Sequence, residues 1–186
     1  MPRTVKNRKH HADAVETAST YRDGMSSTDT TSVHVVVVGA GMVAHRFVDS
    51  LLSRSGDDWR VTLIGEEARH PYDRVGLTSF FGGASVEELE LERSVIDDER
   101  VRFVCGDAVT AIDRAAQQVT TAHGLSVAYD HLILATGSYA AKVAVDGAGW
   151  EGCFVYRTLD DVERLREFVR TRSAQLGRPL TGTVIG

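Results

Sequence analysis

The feature that most constrains the fold is a β-branched run that ends in a glycine turn. The run, VHVVVV, spans Val33–Val38 and is followed at once by GAG at residues 39–41. A short β-branched run bounded by glycine is typical of a strand buried in a parallel sheet. Apolar residues at helical spacing come next, which predicts a helix that stops near Gly56, and residues 59–64 predict a second strand. These apolar residues are Val43, Phe47, Val48, Leu51 and Leu52.

The rest of the chain adds further strands and one long helix to this βαβ unit. Strands are predicted at 101–104, Val109–Asp113, Gln118–Thr121 and 127–136, a short helix or turn at 87–93, and a helix at 160–176. The short strands in the middle of the chain favour a small antiparallel meander. We therefore expect an α/β fold, a Rossmann-like domain with a parallel sheet and this meander.

The first 32 residues differ in character from the rest of the chain. They are polar and lack apolar periodicity, which predicts a disordered tail. No hydrophobic region follows their basic start, so no signal peptide is expected. Met25 is an alternative translation start to Met1.

The formal net charge of −5 gives no general attraction to nucleic acid or to anionic membranes. No apolar run approaches the ~20 residues that cross a bilayer, and we expect a cytoplasmic protein.

The two cysteines, Cys105 and Cys153, lie far apart in the sequence. They form no CxxC or CxxxxC spacing and do not predict a disulfide framework, a zinc site or a redox pair. Cys105 comes directly after an apolar strand, so we expect it to be a buried structural thiol. No metal site and no catalytic residue is assigned to this chain.

The glycine turn and the start of the helix match the pattern GxGxxG/A through Gly39, Gly41 and Ala44. Gly39 permits a tight turn, Gly41 lets the backbone approach a pyrophosphate, and the small Ala44 lets the helix pack against the strand. The phosphates then meet backbone N–H groups and the positive end of the helix dipole. Met42 belongs to the same predicted site through its position in this turn. The context of strand, turn and helix is the one that this pattern requires.

Glu66 comes after the second predicted strand, about twenty residues beyond the turn. A carboxylate at this strand end can accept hydrogen bonds from both hydroxyls of a ribose, and it would repel a 2′-phosphate. The neighbouring Glu67 is interpreted as a solvated loop residue. The turn and Glu66 together predict dinucleotide binding, and they fit NAD as well as FAD.

The segment PYDRVGLT at residues 71–78 favours FAD. It resembles a PYxRPPLS-like motif of the two-dinucleotide-binding-domain flavoproteins, within their ferredoxin-reductase-like branch. In that family the motif's arginine, matched by Arg74, contacts the FAD diphosphate and flavin region. The YDRVxLS version, GAGMVAHRFVDSL and VYRTLDDVERLR most resemble the large subunits of NAD(P)H-dependent assimilatory nitrite reductases. Many relatives carry a lysine where this chain has Ser79, so no lysine role beside the flavin is carried over.

Two further segments match the same family. Residues 132–137, LILATG, resemble its ATG motif, whose strand end lies against the bound dinucleotide and leads into the NAD(P)H domain. The resemblance therefore adds Ala135, Thr136 and Gly137 to the predicted FAD site. A strand-terminal Thr-Gly offers a hydroxyl and an unhindered backbone for close approach. The backbone of Ala108 and Val109 resembles the family position that contacts the adenine edge.

The resemblance implies a division into a tail at 1–32, an FAD-binding domain at 33–148, and the start of an NAD(P)H-binding domain at 149–186. A new strand is predicted at Thr183, and Gly186 resembles the first glycine of a second nucleotide-binding turn. The implied activity is hydride transfer from NAD(P)H to FAD, with subsequent electron transfer to an iron–sulfur cluster and siroheme that reduce nitrite to ammonia. NAD(P)H, cluster and siroheme are expected only in a full-length protein, and the 186-residue chain alone is expected to be inactive.

Other functions fit part of the same pattern. A ferredoxin or rubredoxin reductase shares the FAD site and passes electrons to a small protein. A non-catalytic module that senses NAD(H) would need Glu66 but neither Arg74 nor the ATG strand. A dithiol–disulfide reductase is disfavoured, because its cysteine pair should fall in the region of residues 71–78. The expected partners are FAD and, in the full-length enzyme, a small nitrite reductase subunit or a second copy of the chain.

Overall fold

A parallel four-stranded sheet forms the centre of the molecule. The computed structural model describes residues 32–141 and 144–185, so residues 1–31 of the predicted tail and Gly186 lie outside the described residues. The strands of this sheet lie in the order β3-β2-β1-β7, and all three pairings are parallel. They are β1 (Val33–Val38), β2 (Trp59–Gly65), β3 (Val101–Cys105) and β7 (His131–Leu134). The predicted βαβ unit is confirmed.

Helix α1 (Met42–Arg54) connects β1 to β2 and covers one face of the sheet. Ala44 and Val48 are fully buried in the hydrophobic core that this helix forms with the sheet. Val43, which the apolar pattern placed on the same face, is 73% exposed. It precedes Ala44 by one position, about 100° around the helix axis, and so lies outside the buried stripe.

A three-stranded antiparallel sheet packs against the opposite face. It consists of β4 (Val109–Asp113), β5 (Gln118–Thr121) and β6 (Ser126–Ala128), in that order. Val119 and Val127 of this sheet are buried with Val36, Val38 and Ile64 of the parallel sheet. The predicted meander is confirmed, with β6 as its third strand.

The single strand predicted at 127–136 is wrong, because the chain changes sheets within it. β6 pairs with β5, whereas β7 pairs with β1. Asp130 fixes the point of transfer: its N–H donates to the carbonyl oxygen of His34 at 2.8 Å, and its carboxylate accepts from the His34 N–H at 2.7 Å. An apolar run cannot reveal such a transfer, since both halves are strands.

The segment after β2 folds into a second hydrophobic cluster with the long C-terminal helix. Helix α2 (Leu77–Phe81) and helix α3 (Leu159–Leu176) contribute Leu77, Phe80, Leu159 and Val162 to it. The predicted helix 160–176 is confirmed, and a capping box between Thr158 and Asp161 fixes its start. Residues 87–89 form a turn, within the predicted range 87–93.

The strand predicted at Thr183 does not form in the described residues, where 181–185 have no regular structure. A β-strand needs a neighbouring strand to accept its backbone hydrogen bonds, and the described part of the chain offers none here. Among the described residues, no helix is long and apolar enough to cross a membrane.

Candidate dinucleotide-binding site

The turn between β1 and α1 is held in a conformation that requires glycine at its first position. Gly39 has a φ of +102°, which side-chain-bearing residues rarely adopt. A Cβ at this position would also lie 2.7 Å from the carbonyl carbon of Ala135 and 3.0 Å from the Cα of Thr136. The first glycine of the turn and the ATG strand end, predicted separately, are therefore in contact.

The second glycine faces open space. A Cβ at Gly41 would meet nothing within 4 Å, and Gly41 is the N-cap of α1. In the described part of the chain, no side chain donates to or accepts from this cap, so the first N–H groups of α1 remain available. Met42 is partly exposed at the helix start, and Ala44 is fully buried below it. An open helix N-terminus beside an unhindered backbone fits a pyrophosphate.

The order of the strands places this turn at the point where the strand order reverses. β2 and β3 lie on one side of β1, and β7 lies on the other. In open α/β sheets, ligands bind in the crevice outside the carboxyl ends of the strands at such a point. Gly39, Glu66 and Thr136 lie just beyond the carboxyl ends of the three strands that meet there.

Glu66 is exposed at the end of β2, where a ribose hydroxyl can reach it. Its carboxylate accepts a hydrogen bond from the Tyr139 hydroxyl at 3.1 Å. Since Tyr139 lies after β7, this hydrogen bond joins the two strands that flank β1. The hydrogen bond to Glu66 raises the pKa of Tyr139, so the phenol stays protonated as the donor.

Glu67 is not the solvated loop residue that the sequence suggested. Its carboxylate forms an ion pair with Arg74 and accepts a hydrogen bond from the Tyr72 hydroxyl at 2.8 Å. The Glu67 and Arg74 side chains are 29% and 26% exposed, so the pair is half-buried. Burial raises the pKa of Tyr72 to about 12, and the bond to Glu67 adds to the increase.

Arg74 is anchored on three sides in the described structure. Besides Glu67, its Nη1 donates to the carbonyl oxygen of Arg157 at 3.0 Å, and its guanidinium lies 5.2 Å from the Tyr72 ring centre. The Tyr72 hydroxyl also accepts a hydrogen bond from the N–H of Leu159 at 3.3 Å. The PYDRVGLT segment is thereby bound to the start of α3.

The ATG strand end combines an anchored residue with two exposed ones. The N–H of Ala135 donates to the carbonyl oxygen of Val38 at 2.8 Å, which continues the pairing of β7 with β1. Thr136 and Gly137 are exposed. A Cβ at Gly137 would lie 3.3 Å from Nη2 of Arg157, so this guanidinium lies beside the strand end. Arg157 belongs to the VYRTLDDVERLR segment, and the sequence pattern predicted no role for it.

Val109 lies further from the turn, at the start of the antiparallel sheet. It is half-buried and pairs with Thr121. The preceding residues connect it to the end of β2, because the N–H of Asp107 donates to the carbonyl oxygen of Gly65 at 3.0 Å. Asp107 is 6% exposed and accepts hydrogen bonds from the Thr121 hydroxyl at 2.6 Å and the His123 N–H at 3.0 Å. Asp107, directly after Gly106, was not predicted from the sequence to be a buried residue of this region.

Gly65 was also missed, although it ends β2 next to Glu66. A Cβ there would lie 2.8 Å from the Cβ of Ala40, so the glycine lets the end of β2 approach the turn.

Cys105 is exposed because it lies at the end of an edge strand. The prediction of a buried thiol is therefore wrong. Cys105 and Cys153 are both free, and no group of metal-ligating residues occurs within the described ranges.

Comparison with known proteins agrees with this geometry. A family model described as pyridine nucleotide-disulphide oxidoreductase matches residues 33–183. The chain is 39% identical over 154 residues to the nitrite reductase [NAD(P)H] large subunit of Klebsiella oxytoca, covering 82% of this chain and 16% of that protein. It is 35% identical to rhodocoxin reductase of Rhodococcus erythropolis, covering 70% of this chain and 31% of that protein.

A solved structure also resembles the fold. The ferredoxin reductase for the CYP199A2 system from Rhodopseudomonas palustris has a TM-score of 0.66 and 28% identity, over 74% of this chain and 34% of that one. The predicted resemblance to ferredoxin-reductase-like flavoproteins and nitrite reductase large subunits is confirmed. The chain spans about a sixth of the Klebsiella oxytoca nitrite reductase subunit and about a third of rhodocoxin reductase. This chain therefore belongs to the pyridine nucleotide-disulphide oxidoreductase family.

Proposed function

We propose that this chain is the FAD-binding part of an NAD(P)H-dependent oxidoreductase. The observation that carries the proposal is the contact between Gly39 and the Ala135–Thr136 backbone, which brings the glycine turn and the ATG strand end into one crevice. Both segments match a family whose members bind flavin and nicotinamide dinucleotides. When bound, FAD supplies a ring that accepts a hydride and releases electrons singly.

The residues of the chain divide the binding of the ADP half between them. The N-terminus of α1, from Gly41 and Met42 onward, binds the pyrophosphate through backbone N–H groups. Glu66 accepts hydrogen bonds from the ribose hydroxyls, and the backbone at Val109 contacts the adenine edge. Arg74 orders the segment near the flavin, with its charge balanced by Glu67.

For the complete enzyme we propose a nitrite reductase, in which electrons pass from NAD(P)H through FAD to an iron–sulfur cluster and siroheme. The support is the 39% identity to the Klebsiella oxytoca large subunit. The cluster and siroheme would be held by other parts of such a protein, since the described residues contain no metal-ligating group. Residues 149–186 would begin the NAD(P)H-binding domain, and the 186-residue chain alone should not reduce nitrite. A small subunit or a second copy would be the partner, in the cytoplasm.

A ferredoxin reductase is the second candidate, and the 35% identity to rhodocoxin reductase favours it. It uses the same FAD site and differs in the acceptor, a small electron-transfer protein in place of a siroheme centre. The sequence that encodes the remainder of the protein distinguishes the two, because only the nitrite enzyme requires domains for cluster and siroheme.

Reconstitution with FAD tests the proposal. The purified chain, mixed with FAD and desalted, is expected to retain a yellow flavin with a protein-shifted absorption band. A colourless product that binds NADH in a fluorescence titration would instead identify an NAD(H)-sensing module and refute the flavoprotein.

The Glu66 carboxylate provides a sharper test of the ribose contact. Glu66→Ala is expected to weaken FAD binding by about 1–3 kcal/mol, because the buried ribose hydroxyls lose their acceptor. Glu99→Ala, which removes an exposed carboxylate from the turn before β3, is the matched control and should bind FAD like the wild type. Equal FAD affinity in the Glu66 variant would remove its assigned role.

A further inference from the structure

Asp107 joins the parallel sheet to the antiparallel sheet on the side of the crevice where Glu66 lies. Its N–H donates to the carbonyl oxygen of Gly65, the residue directly before Glu66, at 3.0 Å. The neighbouring Gly106 adds a second bond, since its N–H donates to the carbonyl oxygen of Glu67 at 3.2 Å. The carboxylate of Asp107 points the other way, to the end of β5 and the turn that follows it. Asp107 therefore connects the end of β2 to the antiparallel sheet.

The hydrogen bonds of this carboxylate are all specified by the structure around it. Oδ2 of Asp107 accepts from the Thr121 hydroxyl at 2.6 Å, and Oδ1 accepts from the His123 N–H at 3.0 Å. The Thr121 oxygen in turn accepts from the N–H of Leu125 at 3.1 Å, so the single proton of the hydroxyl is directed at Asp107. Asp107 and Thr121 are both buried. A buried polar network whose members are all satisfied makes its surroundings rigid.

The N–H of Val109 points out of the antiparallel sheet, two residues after Asp107. The carbonyl oxygen of Ala108 accepts from the N–H of Ala122 at 2.8 Å, at the end of β5. The carbonyl and the N–H of one trans peptide unit point in opposite directions, so the Val109 N–H is directed away from β5. β4 is an edge strand, and within the described ranges no strand pairs with its other side. This peptide unit is therefore an ordered donor that faces outward.

We propose that Asp107 is a positioning residue for base recognition in the dinucleotide site. It holds the Val109 N–H at a fixed separation from Glu66, so that the N–H meets N1 of an adenine whose ribose is bound by Glu66. A base and its ribose can be bound together only if their two partners keep the right separation. The donor selects adenine, because N1 is an acceptor in adenine and carries a proton in hypoxanthine. The inference rests on the proposed function, in which Glu66 and the Val109 backbone bind the adenosine.

The test measures how well each variant distinguishes ADP from IDP, in which hypoxanthine replaces adenine. The wild-type 186-residue chain, Asp107→Asn and Asp113→Asn are titrated with both nucleotides by calorimetry. Asp107→Asn keeps the shape of the side chain but turns an amide NH2 toward a donor. Asp113→Asn is the matched control, because Asp113 is exposed at the far end of β4 and accepts two backbone N–H groups through one oxygen. We expect the wild type and the control to bind ADP about ten- to hundredfold more tightly than IDP, and Asp107→Asn about threefold or less.

Substitutions of Thr121 give a second test, which decides the role if Asp107→Asn does not fold. Thr121→Val keeps the shape of the side chain and removes the proton that Asp107 accepts, so the preference for ADP should fall as in Asp107→Asn. Thr121→Ser keeps the hydroxyl and should retain the wild-type preference. A purely structural role would lower the melting temperature of the Asn and Val variants and leave the ratio of the two affinities unchanged in the folded chain.

The outcomes separate the role of Asp107 from the flavin function. An unchanged ratio of ADP to IDP affinity in folded Asp107→Asn or Thr121→Val would overturn the role of Asp107. A wild type that binds ADP and IDP equally would overturn it as well, and retention of FAD by that wild type would leave the proposed function intact. If the wild type prefers ADP through Asp107 but retains no FAD after desalting, the positioning role stands and the proposed flavin function fails.

Discussion

Substituting alanine for Gly39 tests the geometry on which the binding site depends. The substitution forces a side-chain-bearing residue to a φ of +102° and places a Cβ 2.7 Å from the carbonyl carbon of Ala135. The backbone strain costs about 1–2 kcal/mol, and the overlap with backbone that cannot rotate away costs a further ~1–3 kcal/mol. We therefore expect Gly39→Ala to reduce the free energy of unfolding by about 2–5 kcal/mol.

Circular dichroism during heating measures this loss. A reduction of that size corresponds to a fall in Tm of about 4–20 °C for a domain of this size. The matched variant is Gly41→Ala, because Gly41 has an extended backbone and open space around its missing side chain. Gly41→Ala should change the free energy of unfolding by less than about 0.5 kcal/mol. It should nevertheless weaken FAD binding at least about tenfold, because the added methyl group prevents the pyrophosphate from approaching the backbone. A Gly39→Ala chain as stable as the wild type would refute the reasoning.

Two further predictions concern titrating groups outside the glycine turn. Tyr72→Phe should cost about 1–2 kcal/mol at pH 7, since Glu67 loses a donor. Because the pKa of Tyr72 is raised from 10.0 to about 12 in the folded chain, the free energy of unfolding of the wild type should fall as pH rises through that range. Urea unfolding at each pH should show this fall for the wild type and not for Tyr72→Phe. Hydrogen bonding to Arg100 lowers the pKa of Asp98 from 3.8 to about 2, so stability should be lost as pH falls through that window. Asp98→Asn should cost about 1 kcal/mol at pH 7, and its stability should fall less than that of the wild type as pH is lowered. If either variant loses as much stability as the wild type over its own pH range, the assignment of that pH dependence to Tyr72 or to Asp98 is contradicted.

The local elements could be predicted from the sequence because each has its own pattern. The run Val33–Val38, the helical spacing after it and the second strand each specify one element, and all three form. The family resemblance likewise depends on short contiguous motifs, and the match over residues 33–183 confirms it. Neither kind of prediction requires knowledge of which segments meet in space.

The errors fall where a residue's environment depends on distant parts of the chain. Glu67 neighbours Glu66 in the loop after β2 and looks solvated, but Arg74 folds back onto it through the segment after β2. Cys105 ends an apolar run, but the run forms an edge strand whose end is uncovered. The apolar run 127–136 contains a change of sheet that is set by Asp130 and His34, which are 96 residues apart.

The sequence by itself determined the βαβ unit, the glycine turn and the family, because periodicity and contiguous motifs are local properties. Only the tertiary structure decided which charges are already paired beside the crevice. It neutralises Arg74 with Glu67 and surrounds the Asp107 carboxylate with donors from Thr121 and His123. The physical reason is that an arginine's capacity to bind a ligand depends on whether a carboxylate already pairs with it, and that pairing is set by the packing of α3 against the segment after β2.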